Sequence, residues 1–109
     1  MSGTSTGAPK TEWILYVLRC ADGTLYCGIT NDLRRRISQH NTGKGARYTK
    51  GRGPVKVARS WPAANQSCAL KAERAFKSLS REAKQRKLRS RARQDHISRL
   101  LRGETPLSA

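Results

Sequence analysis

The sequence predicts an α/β (α+β) sandwich: a small, mainly antiparallel three-stranded sheet flanked by helices, in the order β-β-α-β-α-α. Three observations carry that expectation. Two apolar runs rich in β-branched and aromatic residues, "WILYVLRC" (Trp13–Cys20) and "TLYCGI" (Thr24–Ile29), are separated only by "ADG", which reads as two strands and a tight turn. A third run, "VKVARSW" (Val55–Trp61), alternates in the same way and is closed by "PAANQ". Between and after these strands, apolar residues recur at the three- and four-residue spacing of helices.

The hairpin loop decides which side chains share a face. A two-residue loop Asp22-Gly23 pairs Ala21 with Thr24 and sends Tyr16 and Tyr26 to opposite faces. A three-residue loop Ala21-Asp22-Gly23 pairs Cys20 with Thr24, Leu18 with Tyr26 and Tyr16 with Gly28. It puts both tyrosines on one face as diagonal neighbours. The Asp-Gly order favours the second, because Gly takes a positive φ without a steric penalty.

Thr30, Asn31 and Asp32 are all good N-caps for a helix from about Asp32 to His40. In it Leu33, Arg36, Ile37 and His40 fall at i, i+3, i+4 and i+7 and share a face. Leu33 and Ile37 belong to a core, Arg36 and His40 to its edge, and Arg34 and Arg35 point to solvent or to phosphates. "NTGKGARYTKGRGP" (Asn41–Pro54) is rich in glycine and cations and reads as a basic loop. Ser67 can cap a helix "CALKAERAFKSL", whose stripe is Ala69, Ala72, Glu73, Phe76 and Leu79. Glu73 is thus an acid on an apolar face. Ser80 can cap a final helix from Arg81 to Leu101. Its apolar side is thin, so its second half is expected to need a bound anion to stay helical.

A chain of 109 residues supports one modest core. Residues 1–11 read as a disordered lead-in, 12–88 as the folded domain, and 89–109 as a basic helical extension and tail. With 23 Lys+Arg against 7 Asp+Glu, a formal charge of +16, the expected partner is an anion, nucleic acid first. Charge alone names a partner class and no activity. Three cysteines, Cys20, Cys27 and Cys68, with no CxxC pair, fit neither a disulfide framework nor a zinc site. They read as reduced thiols in a cytoplasmic protein. No run has the apolar length of a signal peptide or a membrane span.

One sheet face therefore offers two tyrosines, the next helix an arginine and a histidine, and a later helix an inward carboxylate. In that order and spacing the sequence resembles the GIY-YIG nuclease superfamily. "LYV" (Leu15–Val17) stands at the first motif and "YCG" (Tyr26–Gly28) at the second. "TNDLRRRISQH" is similar to the helix that carries the family's arginine and histidine, and "ALKAERAFK" to the helix with its metal-binding glutamate. "GKGARYTKGRGPVKV" is closest to the small stand-alone branch. The likeness covers about Trp13 to Leu88. In the first motif only the tyrosine matches. There is no asparagine after Asn65, where several family nucleases carry one, and Thr30 stands where larger members have a lysine.

The resemblance implies a metal-dependent endonuclease that hydrolyses DNA, at branched, nicked or single-stranded structures. The second implied class is a nucleic-acid-binding protein that keeps the fold and cuts poorly. It implies Tyr26 as base or water-orienter, Tyr16 hydrogen-bonding the same water or the phosphate, and Arg36 holding the scissile phosphate, with His40 beside them. Glu73 holds one Mg²⁺ or Mn²⁺ ion. Gly28 leaves space for the nucleic-acid backbone, and Arg34, Arg35, Lys44, Arg47, Tyr48, Lys50 and Arg52 contact the nucleic acid. Residue by residue, simpler accounts compete. Strand tyrosines pack with a wet hydroxyl, an arginine stem covers apolar surface, a histidine complements a helix C-terminus, and a glutamate pairs with a neighbouring cation.

Overall fold

The computed structural model describes residues 12–42 and 52–104. Its elements are β1 (Trp13–Arg19), β2 (Leu25–Thr30), α1 (Leu33–Asn41), β3 (Lys56–Ala63), α2 (Gln66–Lys77), α3 (Arg81–Arg89) and α4 (His96–Leu101). The strands form one antiparallel sheet in the order β2-β1-β3. This is the α/β sandwich expected, with one more helix than the sequence suggested.

The hairpin adopts the three-residue loop. Gly23 sits at φ 88, Cys20 N–H donates to Thr24 O at 2.8 Å and Gly23 N–H to Cys20 O at 2.9 Å. Asp22 Oδ1 accepts from Thr24 N–H at 3.0 Å and from its hydroxyl at 2.6 Å. The register that follows pairs Tyr16 with Gly28 and Leu18 with Tyr26.

Alternation along β1 then divides the interior into two layers. Leu15 and Val17 face Cys27, Trp61, Ala69, Ala72 and Phe76, with Ile97 and Leu101 of α4 in the same cluster. Tyr16 and Leu18 face the other way, with Cys20 and Val55, against Tyr26 and against Leu33 and Ile37 of α1. Burial of side chains such as Leu15, Val17 and Leu18, all 0 % exposed, contributes about 1.5–3 kcal/mol each. The three cysteines are free and buried.

Several local expectations are corrected. β3 runs through Pro62 to Ala63 rather than stopping at Trp61, which an edge strand tolerates because an outward-facing position needs no N–H donor. Asn65, not Ser67, caps α2, its side chain accepting from Cys68 N–H at 2.9 Å. The helix expected over residues 81–101 is broken in two. Ser90 leaves α3 with extended geometry, φ −83 and ψ 141. The Arg59 guanidinium takes the carbonyls of Leu88 and Ser90 at 3.0 and 2.9 Å, the C-terminal satisfaction that a further helical turn otherwise provides.

The second half restarts on its own cap. Asp95 accepts from Ser98 N–H and from its hydroxyl, the latter at 2.7 Å. Lys87, only 7 % exposed, reaches across to Asp95 at 3.0 Å and Ser98 at 2.9 Å. Its ammonium also lies 5.2 Å from the Trp61 ring centre. Ile97 and Leu101 then lock α4 onto the core. Capping by Asp95 and packing of Ile97 and Leu101 hold this helix.

Two expectations follow. Replacing Asp95 with Ala removes the α4 cap and strands a buried ammonium, so Asp95→Ala should cost about 2–4 kcal/mol. Lys87→Met keeps the stem volume and leaves the cap intact, so it should cost less than about 1.5 kcal/mol. Equal losses in urea titrations of the two variants would contradict the clamp. Second, a Cβ on Gly28 meets Tyr16 Oη at 2.6 Å and Cζ at 2.8 Å. Tyr16 is 1 % exposed and has nowhere to retreat, so Gly28→Ala should cost about 1–3 kcal/mol. An unchanged urea midpoint would show that the ring does not lie over this residue.

Candidate active site

The shared face created by the hairpin brings Tyr16 and Tyr26 together, with ring centres 6.3 Å apart. α1 supplies the rest. Asp32 caps it by accepting from Arg35 N–H at 3.3 Å. That start fixes the helical phase which turns Leu33, Ile37, Arg36 and His40 toward the sheet and leaves Arg34 and Arg35 exposed.

Arg36 Nε–H donates to Tyr16 Oη at 3.4 Å, and its Nη1–H to Gln39 Oε1 at 3.0 Å. Tyr16 Oη lies 3.1 Å from His40 Nε2. His40 is 2 % exposed. Burial first, and the Arg36 charge second, hold its pKa below the ordinary histidine value, so the ring is neutral at pH 7. The phenol oxygen thus lies between the Arg36 donor and Nε2 of His40. His40 also lies 5.2 Å from Tyr26, ring centre to ring centre.

Burial pushes the Tyr16 phenol up to about 12, outweighing the opposing Arg36 hydrogen bond. Tyr16 is therefore a proton donor inside the wall of the site. At 1 % exposure its hydroxyl meets Arg36 and His40. Tyr26 is only partly buried and is the phenol that a ligand can reach. The hydrogen bond to Tyr16 is the main reason that Arg36 holds its proton more firmly than usual, and Tyr26 adds to it. The role given to Gly28 changes too. The space above it is filled by the Tyr16 ring, so it admits a phenol rather than a nucleic-acid backbone.

The described contacts join Tyr16, Tyr26, Arg36 and His40. Glu73 joins a different set. It sits on α2, whose Ala69, Ala72 and Phe76 pack on the opposite sheet face, and its carboxylate pairs with Lys77 at 3.3 Å. Its charge is felt at Cys27, between Tyr26 and Gly28, where burial and then Glu73 push the thiol up to about 12. Glu73 thus approaches the site from behind β2, a sheet edge. Among the proposed nucleic-acid contacts, Lys44, Arg47, Tyr48 and Lys50 lie outside the described residues. Arg52 is turned to the hairpin loop, pairing with Asp22 at 2.6 Å, while its carbonyl accepts from Ala21 N–H at 2.8 Å. Sequence reasoning missed Gln39, which has no periodic signal and is identified by its bond to Arg36. It also put His40 at the edge of the apolar stripe, whereas position i+7 from Leu33 buries it.

Comparisons with known proteins place the chain in a family. A relative in Nitratidesulfovibrio vulgaris, a UPF0213 protein, is 60% identical over 48 residues, 44% of each chain, so the match spans less than half of that protein. A UPF0213 protein of Streptococcus agalactiae is 51% identical over 75 residues, 69% of this chain and 85% of the relative. The solution structure of protein EF2693 from E. faecalis aligns with a TM-score of 0.52 at 40% identity, over 72% of this chain and 83% of that one. The GIY-YIG catalytic domain matches residues 12–88, and the chain belongs to the GIY-YIG family, alongside the small UPF0213 proteins.

Proposed function

We propose that the protein is a metal-dependent endonuclease that hydrolyses phosphodiester bonds in DNA. The observation that carries this reading is the Arg36 guanidinium, bonded to Tyr16 and Gln39 and adjoining the reachable phenol of Tyr26, on a fold whose family contains nucleases. A planar guanidinium matches the oxygens of a phosphate. Here it is preorganised by bonds that do not have to form during the reaction.

In this reading Arg36 holds the scissile phosphate and receives charge as a water oxygen attacks phosphorus. Tyr26 orients that water through its hydroxyl; as the new P–O bond forms, the P–O bond to the leaving sugar oxygen breaks, and the water's proton passes to that oxygen or to solvent. Tyr16 and His40 are positioning residues: the phenol is hydrogen-bonded to the neutral imidazole, and its oxygen fixes Arg36.

Nucleases of this family work with a divalent metal ion, and the donor set tests whether one fits. No group of three or more His, Cys, Asp or Glu side chains gathers among the described residues. Mg²⁺ asks for less: it keeps most of its waters and takes one or two carboxylates plus substrate phosphate. Glu73, a largely buried carboxylate with 19% of its side chain exposed, fits as that protein ligand. When bound, the ion supplies charge neutralisation at the phosphate and lowers the pKa of its water. A second reading, a binding protein that cuts poorly, is favoured by the Glu73–Lys77 pair, which occupies the carboxylate away from the phenols.

The experiment is incubation with labelled DNA and RNA, as single strands, nicked duplexes and branched structures, with and without Mg²⁺ or Mn²⁺. Metal-dependent cleavage of DNA is expected, and binding without cleavage selects the second reading. Two variants test the roles. Tyr26→Phe deletes one oxygen and should reduce cleavage by roughly 10²-fold or more while leaving the fold intact. A folded Tyr26→Phe protein cutting at the wild-type rate removes the phenol from the mechanism. Glu73→Gln should lose cleavage on a similar scale and bind DNA at least as well as wild type, because one negative charge is gone. Cleavage that merely tracks the folded fraction would make Glu73 a structural ion-pair partner of Lys77.

A further inference from the structure

A second feature lies at the opposite edge of the sheet. β3 is that edge, and between it, the end of α3 and the start of α4 runs a groove of about 790 Å³. Arg59, Arg89, Arg91, Arg93 and Arg102 all line it, together with Ser60 and Ser98, and no carboxylate is among its lining residues. Five guanidiniums around one groove repel one another unless an anion fills it. Arg59 is committed to the carbonyls of Leu88 and Ser90. Arg102 is paired with Glu104 at 2.7 Å on the exposed rim. Arg89, Arg91 and Arg93 have no ion-pair partner among the described residues.

The helix break explains why these three converge. In a continuous helix, residues two apart point about 200° around the axis from one another. Ser90 is extended instead, and the chain from 90 to 95 is non-helical. Leaving the helix at Ser90 lets Arg89, the last residue of α3, and Arg91 and Arg93 of the connection line one groove. The Arg59 bonds and the Lys87–Asp95–Ser98 clamp hold the segment in place on both sides. Three guanidiniums gathered in one groove without a carboxylate are complementary to the phosphates of a nucleic-acid strand.

We infer that the groove between β3 and the α3–α4 connection binds the phosphate backbone of a single nucleic-acid strand through Arg89, Arg91 and Arg93, as a site separate from Tyr26 and Arg36. The inference rests on the nucleic-acid reading above for its choice of ligand, but it does not need the protein to cut. The site reads charge and strand shape and no base sequence, since its lining offers arginines to phosphates and leaves Trp61 only 9 % exposed, too covered to stack on a base.

The test is fluorescence anisotropy with a labelled single-stranded oligothymidylate in EDTA, across a salt series. The proteins are wild type, the triple variant R89Q/R91Q/R93Q, the double variant R91Q/R93Q, and R34Q/R35Q on the α1 surface. Each single-strand phosphate contact contributes about 0.7 to the log–log salt slope. The triple variant should therefore flatten the slope by about 2, with binding near 0.1 M salt weakened on the order of 100-fold. The double variant, whose residues are both exposed, should lose about 1.4 with an unchanged thermal melt. R34Q/R35Q should lose less than the double variant. A folded double variant with the wild-type slope overturns the proposal, as does a larger loss in R34Q/R35Q. A wild-type protein that binds with this slope and cuts nothing overturns the nuclease reading and leaves the groove standing.

Discussion

The rest of the site depends on one contact, the Tyr16 ring lying against the bare backbone of Gly28. The pairing of these two residues across β1 and β2 leaves no room for a Cβ at position 28. It lets the phenol lie flat enough for its oxygen to reach both His40 and Arg36. A one-residue slip would send Tyr16 to the α2 face, because strand side chains alternate. The slip is blocked from the loop end by Gly23 at φ 88 and by Asp22 accepting from Thr24. Loop chemistry at Asp22, Gly23 and Thr24 therefore decides whether the Arg36 guanidinium can be held at all.

The same division into faces explains why the carboxylate is set apart. β1 is covered on both sides, by α1 on the tyrosine face and by α2 and α4 on the other. A group on α2 is separated from the tyrosine face by the sheet. Glu73 lies on the side of Cys27, where the buried thiol registers its charge, and its carboxylate pairs with Lys77.

The sheet, the hairpin loop, the phase of α1 and the gathering of Tyr16, Tyr26, Arg36 and His40 were legible in the sequence, because each rests on local chemistry. An Asp-Gly turn, an Asp N-cap and an i, i+3, i+4, i+7 stripe are read within a dozen residues. What was illegible is non-local. The end of α3 is set by Arg59, about thirty residues away, whose guanidinium takes carbonyls that local sequence would have continued into helix. The burial of Lys87 follows from Asp95 and Ser98 arriving on a separate helix, and a basic run gives no sign of which lysine turns inward. Asp95 itself could have been found, since an Asp ahead of an apolar pair is a helix start. Extending Pro62 into β3 needed knowledge that β3 is an edge, which periodicity does not carry.

The charge of the chain and the charge of the site do different jobs. Of the 23 cationic residues, Arg36 is held among the clustered site residues by hydrogen bonds of known direction. Beside it His40 is neutral, through burial and the Arg36 charge, and Tyr16 keeps its proton through burial. The cluster of Tyr16, His40 and Arg36 thus carries a single fixed positive charge at pH 7. A lone, oriented guanidinium can stabilise charge that develops at one phosphate, because its dipoles and donors are already in place when the reaction begins. The diffuse cations elsewhere cannot do this, since they are solvated and screened over about 8–10 Å. They raise the local concentration of polyanion and speed its arrival. Protonating His40 would add a second charge within hydrogen-bonding distance of the phenol, close to the Arg36 guanidinium that bonds the same oxygen. The depressed histidine pKa therefore keeps Arg36 the single charge of this cluster on a very basic chain.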